Sequence, residues 1–114
     1  MSEKIPQSKI NFKTMDVLKL ITENPSKVPI TLQSATQGVE IKEPDLLFPK
    51  NMKIANLNKR IKNQTNFEES IGLTLFCGNK LLPPDKTVNE VYEEFKSQDS
   101  ILRIWVKQVE SFGF

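Results

Sequence analysis

The stretch "ILRIWV" (101–106) decides the fold of this 114-residue chain. In an extended backbone its even-numbered residues share one face, and all of them are apolar. Two of the residues on the other face, Ile101 and Trp105, are apolar as well. A strand that is apolar on both faces is typical of the middle of a sheet that is covered on both sides. The sequence therefore predicts a layered α+β domain with this strand at its centre.

The segments just before this strand alternate between helix and strand patterns. "TVNEVYEEF" (87–95) has apolar residues at helical spacing, with Thr87 as its N-cap and Glu90 at the capping-box position. "IGLTLFC" (71–77) is a predicted strand, which is followed by the turn "GNK" and a short extended piece, "LLPP". "NMKIANLNKRIKN" (51–63) places its apolar residues on one helix face and its bases elsewhere.

The first half of the chain supplies one helix and two strands. "KVPITLQS" (27–34) alternates apolar and polar residues, as a strand with one buried face does. A second strand is predicted over 39–48 and is interrupted at Pro44, which cannot donate to a ladder and so indicates a sheet edge. The helix at 14–23, with Thr14 as its N-cap, is the candidate cover for the second face of the sheet.

The order helix, β, β, helix, β, helix, β is the arrangement of the ubiquitin-like β-grasp. We therefore predict a four-stranded mixed sheet with a crossing helix, plus an N-terminal helix on the opposite sheet face. Ferredoxin-like folds mix the same elements, so the order alone leaves that alternative open. The predicted organisation is a flexible N-terminal segment (1–13), one domain (14–110) and a C-terminal tail (111–114).

The composition argues against an enzyme. The chain has no histidine, so it offers no Ser–His or Cys–His nucleophile pair and no imidazole metal ligand. The single cysteine, Cys77, ends an apolar run and is predicted to be buried and inert. The glycines are scattered and form no phosphate-binding loop. We expect no catalytic residue, no cofactor and no metal.

The charge pattern and the termini point to a cytoplasmic protein. A net charge of +2 without aromatic–basic interleaving does not favour nucleic-acid binding. No secretory signal core is present, no apolar run reaches the ~18 residues of a membrane span, and one cysteine suits a reducing compartment. Five bases lie between Leu46 and Phe67. They form either an ordinary solvated helix face or a surface for acidic lipids or acidic partner segments.

Several motifs in order resemble one family. "KVPI", "LLFP", "LLPP", "VYEEFKSQDSILRIWV" and the terminal "ESFGF" resemble, in sequence and spacing, the autophagy ubiquitin-like modifiers of the GABARAP and light-chain-3 family. The resemblance runs from about Thr14 to Phe114 and identifies the chain as a divergent member. It implies a ubiquitin-like fold and a role in autophagy.

The resemblance gives the C-terminal tail a function. In the family a processing cysteine protease removes whatever follows the glycine, which here means cleavage between Gly113 and Phe114, with Phe112 as the preceding aromatic residue. Ubiquitin-like activating and conjugating enzymes then join Gly113 to phosphatidylethanolamine. Glycine suits a tail that threads narrow enzyme channels, because it lacks a Cβ atom. Taken alone, without the resemblance, the same tail would sooner be interpreted as a frayed end, since chain termini are often disordered.

The resemblance also implies a groove for cargo receptors that carry aromatic-x-x-aliphatic peptides. Such a peptide adds a strand to a sheet edge, and two apolar pockets select its side chains. The implied aromatic pocket consists of Asp16, Leu20, Pro29, Thr31, Leu47 and Ile101. The implied aliphatic pocket consists of Leu46, Phe48, Pro49, Met52, Leu57 and Arg60. Residues 46–48, which are shared between the two implied pockets, are consecutive apolar residues on the predicted edge strand. The competing interpretation is that these residues belong to the core.

Two rival functions fit the same fold. One is the sister autophagy modifier, which joins a protein through its terminal glycine but generally ends at that glycine, unlike this chain. The other is a β-grasp adaptor that binds peptides and is never conjugated. The leading hypothesis places the chain in the cytoplasm, and on autophagosome membranes after lipid conjugation.

Overall fold

The computed structural model describes residues 10–36, 40–64 and 72–109. In chain order the elements are α1 (Val17–Glu23), β1 (Lys27–Ser34), β2 (Asp45–Pro49), α2 (Ile54–Asn63), β3 (Gly72–Cys77), β4 (Lys80–Leu81), α3 (Val88–Phe95) and β5 (Leu102–Val109). The order matches the β-grasp prediction. Residues 1–9 of the predicted flexible segment and all of the 111–114 tail lie outside the described residues.

The strands form one mixed sheet in the order β2-β1-β5-β3-β4. The central strand β5 runs parallel to β1 and antiparallel to β3. This confirms the central position predicted from residues 101–106 and the edge position of β2. The predicted count of four strands is wrong, because "KL" adds a short fifth strand. Gly78, at φ 61°, allows the tight turn that returns Lys80 to pair with Cys77.

One face of the sheet, here called the inner face, carries the main core. The side chains of Ile30, Leu75, Leu102, Ile104 and Val106 on this face are almost fully buried. Both longer helices cover it with the apolar stripes that their spacing predicts, which are Ile54, Leu57 and Ile61 on α2 and Val88, Val91 and Tyr92 on α3.

The predicted capping box of α3 is confirmed. Thr87 Oγ1 accepts a hydrogen bond from Glu90 N at 3.2 Å, and Glu90 Oε1 accepts one from Thr87 N at 2.8 Å. The bond from Thr87 N, together with one that the Thr87 hydroxyl donates to Glu90 Oε1 at 3.2 Å, lowers the pKa of the Glu90 carboxyl group below its ordinary value. The N-terminus of α3 is therefore fixed by its own sequence.

Thr87→Ala should lower the free energy of unfolding by about 1 kcal/mol, because the cap hydroxyl is lost. Urea denaturation followed by circular dichroism measures this. Ser97→Ala is the matched control, since the exposed Ser97 uses only its backbone in hydrogen bonds. Equal midpoints for both variants would contradict a structural role for the box.

Helix α1 is shorter than predicted. It begins at Val17 with Asp16 as N-cap, and Asp16 Oδ1 accepts from Lys19 N at 3.2 Å. Thr14 is not the cap, because its hydroxyl donates to Asn11 O in a turn that precedes the helix. The helix contributes no fully buried residue, and Leu18 is 66% exposed.

The second sheet face, here called the outer face, is covered only in part. Helix α1 contacts β1, whose outward-facing Pro29 is almost fully buried. Ile101 is also buried, but Trp105 remains 39% exposed. The N-terminal helix therefore lies on the predicted face, yet it does not reach the outer side of β5 at Trp105.

Two further boundaries differ from prediction. The second strand begins at Asp45 rather than 39, because Pro44 has no N–H with which to continue the ladder. Ile41 nevertheless packs against the core, and Val39 lies outside the described residues. Helix α2 begins at Ile54 rather than 51, with Lys53 as an N-cap that makes no side-chain hydrogen bond.

Candidate functional site

The open edge of β2 is the centre of the candidate site. Leu32 N donates to Pro44 O at 2.8 Å, which sets the antiparallel ladder so that residues 44, 46 and 48 direct their backbone groups towards β1. The alternation leaves the backbone N–H and C=O groups of Asp45 and Leu47 directed away from β1. A peptide strand can pair with these groups.

A cavity of about 220 Å³ lies along β2, next to Arg60 of α2 and Gln64, the residue after this helix. It brings together four of the six residues expected in the aliphatic pocket, namely Leu46, Phe48, Pro49 and Arg60. Lys27, Glu43, Leu47 and Gln64 complete the lining. Two expected members do not line it. Leu57 is fully buried in the core and Met52 packs against the core.

The side chains of Leu46 and Phe48 belong mainly to the core. They are 7% and 3% exposed, so they contribute to the cavity only as part of its base. Leu47 lies between them, is half-buried and faces the opposite side of the sheet. Leu47 is therefore the one residue of these three that is not buried in the core.

A larger cavity of about 540 Å³ lies at the N-terminal end of β2, beside Pro44 and Asp45. Of the six residues expected in the aromatic pocket, it contains Thr31 and Ile101. Asp16, Leu20 and Pro29 do not line it, and Leu47 lines the other cavity instead. Pro29 pairs with Leu47 across β1 and β2 but lines neither cavity.

Phe12 is the site residue that the sequence interpretation missed. It is 8% exposed, lines the larger cavity, and donates its N–H to Asp45 Oδ2 at 2.9 Å. The other carboxylate oxygen, Asp45 Oδ1, accepts from the Thr31 hydroxyl at 2.9 Å. Asp45 therefore fastens the turn at residues 11–15 to the edge of the sheet.

Asp45→Ala should lower the free energy of unfolding by roughly 1–3 kcal/mol, because it leaves a partly buried N–H and a hydroxyl without their acceptor. Urea denaturation measures the total loss, and hydrogen exchange at the Phe12 amide measures the local one. Glu43→Ala, two residues earlier, is the control. Unchanged exchange at Phe12 in the Asp45→Ala variant would show that the turn is held by other contacts.

One ion pair borders the larger cavity. Arg103 donates to Asp99 through Nη1 at 3.2 Å and through Nη2 at 2.8 Å. These hydrogen bonds lower the pKa of the Asp99 carboxyl group and raise that of the Arg103 guanidinium. Asp99 Oδ1 also accepts from Ile101 N. The pair therefore holds the start of β5 beside the cavity, although its charges are half exposed and screened by solvent.

Cys77 is buried, as predicted. Burial, with a smaller contribution from the nearby Glu94 carboxylate, raises the pKa of its thiol to about 12. A thiol in this state is a poor nucleophile at neutral pH, because the thiolate is the reactive form. Cys77 is the last residue of β3, and its side chain belongs to the hydrophobic core.

No helix in the described part of the chain is long and apolar enough to cross a bilayer. Among curated protein sequences, none matches the chain. Two of the solved structures that share its fold are Atg8 proteins. ATG8 of Trypanosoma brucei aligns with a TM-score of 0.78 at 18% identity, covering 96% of this chain and 100% of that one. Atg8 of Plasmodium falciparum, solved in complex with a P. falciparum Atg3 peptide, aligns with a TM-score of 0.68 at 19% identity, covering 92% and 100%.

A family model gives the assignment. The model described as "Autophagy protein Atg8 ubiquitin like" matches residues 12–113, which span all the described elements and extend to the glycine of the tail. The match agrees with the five-stranded ubiquitin-like sheet and with both solved structures. This chain therefore belongs to the Atg8 family of ubiquitin-like autophagy proteins.

Proposed function

We propose that this chain is a lipid-conjugated autophagy modifier that is processed after Gly113. The observation that carries the proposal is the family match, which runs to Gly113. A protease would hydrolyse the amide bond between Gly113 and Phe114. The freed carboxylate would be activated by ATP as an acyl adenylate, with release of pyrophosphate, and transferred to an enzyme thiol as a thioester, with release of AMP. The amine of phosphatidylethanolamine would then attack the thioester carbonyl, displacing the thiol and forming an amide.

The proposed partners follow from this sequence of reactions. They are a processing cysteine protease, a ubiquitin-like activating enzyme and a conjugating enzyme. The P. falciparum Atg8 structure with an Atg3 peptide supports a similar peptide contact for this chain. The unconjugated form would be cytoplasmic, and the conjugated form would sit on autophagosome membranes. A two-chain phospholipid gives firm anchoring, whereas a single acyl chain binds only marginally.

The second part of the proposal is peptide docking at β2. An aromatic-x-x-aliphatic segment would pair with the backbone of Asp45 and Leu47, with its aromatic residue towards Thr31 and Ile101 and its aliphatic residue towards Pro49 and Arg60. Because the aromatic residue comes first, the peptide would run parallel to β2. Cargo receptors that carry such segments are the proposed ligands.

The decisive measurement is the intact mass of the protein recovered from membranes of its own cells. We expect a species that lacks Phe114 and carries one phosphatidylethanolamine. If every molecule retained Phe114, conjugation through Gly113 would be ruled out and an unconjugated peptide-binding adaptor would take its place. A mass increase equal to a partner protein would indicate the sister type of modifier instead.

A further inference from the structure

Two buried apolar side chains stand apart from the main core and face the larger cavity together. Phe12 is 8% exposed and Ile101 is 5% exposed, yet neither belongs to the core that α2 and α3 cover. Both line the cavity beside Pro44 and Asp45. Since these two side chains are buried outside the main core, the cavity is the feature that they share.

The other walls of this cavity offer little buried apolar surface. Leu32 lines it, but the side chain of Leu32 belongs to the main core, and Pro44 is exposed. The remaining lining residues all carry polar or charged side chains. An apolar side chain that enters the cavity would therefore find its buried contacts at Phe12 and Ile101.

The ring of Phe12 is held in place by a closed turn. Asn11 O accepts hydrogen bonds from Thr14 N and from Met15 N, each at 3.1 Å. Phe12 N donates to Asp45 Oδ2 at 2.9 Å, which fastens this turn to the edge strand. The cavity beside the ring has a volume of about 540 Å³, which is ample for a large side chain. A ligand can thus enter without moving Phe12, and a wall that is fixed before binding loses little conformational entropy on binding.

We propose that Phe12 is a contact residue of the peptide site and selects an aromatic side chain at the first position of the docked segment. The inference rests on the peptide docking proposed at β2. An aromatic pair stabilises a contact beyond the burial of its area, whereas an aliphatic side chain gains the burial alone. Phe12 therefore distinguishes an aromatic ligand side chain from an aliphatic one, while Ile101 supplies apolar contact to either.

A double-mutant cycle between the protein and the peptide isolates this contact. One synthetic peptide has the form Trp-x-x-Leu, and the second has leucine in place of the tryptophan between the same flanking residues. Calorimetric titration of each peptide into the parent chain and into Phe12→Leu gives four dissociation constants. Leucine retains most of the buried volume, so the variant should fold as the parent chain does, and circular dichroism checks this.

In the parent chain the tryptophan peptide should bind more tightly than the leucine peptide. Phe12→Leu should reduce this preference roughly threefold to tenfold, which is the range that an aromatic pair supplies. Phe76→Leu is the matched control, because Phe76 is half-buried on the outer face and lines neither cavity at β2. It should leave the preference unchanged.

Hydrogen exchange in the parent chain tests the same contact without any substitution. The tryptophan peptide should slow exchange at the Phe12 amide, because a side chain packed against the ring opposes opening of the turn. Faster exchange would show that the ligand displaces Phe12 and takes its place, which would overturn the proposal. Unchanged exchange would contradict a contact with Phe12 as well.

Two results of the cycle would also overturn the proposal. The first is an equal preference for tryptophan in the parent chain and in Phe12→Leu, which would leave docking at β2 intact and refute the role of Phe12 alone. The second is tighter binding of both peptides to Phe12→Leu, which would mean that the Phe12 ring blocks the cavity. If neither peptide bound the parent chain, the docking proposal would fail, and the role of Phe12 would fail with it.

Discussion

Gly113→Ala should abolish membrane attachment while leaving the domain folded. Residue 113 lies four positions beyond the end of β5 in the sequence, so we expect an unchanged unfolding midpoint. The added methyl group obstructs close approach in the enzyme channels and disfavours the backbone conformations that only glycine adopts readily. Fractionation of cells that express the variant should recover it entirely in the supernatant, against a membrane-bound fraction for the parent chain.

Ser111→Ala is the matched control for this experiment, since it changes the same tail by a similar volume and retains the glycine. It should fractionate as the parent chain does. If the Gly113→Ala variant sedimented with membranes and carried phosphatidylethanolamine, the conjugation site would lie elsewhere and the proposal would fail.

Leu47→Arg should weaken peptide docking on the order of thirtyfold, the effect of losing about 2 kcal/mol at a central contact residue. Leu47 is half-buried on the outer side of the edge strand, lines the smaller cavity and supplies a backbone pairing site. A guanidinium group at this position would replace an apolar contact and leave a charge to be desolvated under the peptide. Titration of labelled chain with an aromatic-x-x-aliphatic peptide measures the change.

Leu18→Arg makes the same substitution on α1, where Leu18 is 66% exposed and lines neither cavity. We expect its affinity to equal that of the parent chain. Intact lipid attachment in the Leu47→Arg variant would separate docking from conjugation. Equal affinities for both leucine variants would place the groove away from β2.

The inner half of this fold was predictable because each of its elements carries a regular period. The apolar run of β5 gave its central position, and the capping box gave the start of α3 before any contact was known. Pro44 likewise indicated the edge strand, because a residue without an N–H cannot donate to a sheet ladder in any fold.

The outer half was less predictable because it depends on contacts between distant residues. Phe12 meets Asp45 across 33 positions of sequence, and no local pattern signals that hydrogen bond. The two-residue strand β4 is also too short to show a period. Trp105 is partly exposed because α1 does not extend over it, and the apolar residues of α1 alone do not predict how far that helix extends.

The implied peptide site shows the same division. The resemblance to the family assigns Leu57 to the aliphatic pocket. The helical spacing of Leu57 with Ile54 and Ile61 instead indicates the core, and the structure places it there. Arg60 lies on the exposed side of that helix and does line the cavity. Asp45, which took no part in the expected pockets, orients the turn above them.

The strand order has a consequence for how the chain folds. The strand that joins β1 to β3 is the last element of the sheet to be synthesised, so the β1–β2 and β3–β4 hairpins remain two separate pieces until β5 arrives. The parallel pairing of Ile30 with Leu102 closes a long loop, and contacts of this kind slow folding. A chain truncated within β5 would expose unpaired edges on both hairpins and be prone to aggregation. Because Gly113 follows β5 in the sequence, a chain that has been synthesised as far as Gly113 already contains the strand that completes the sheet.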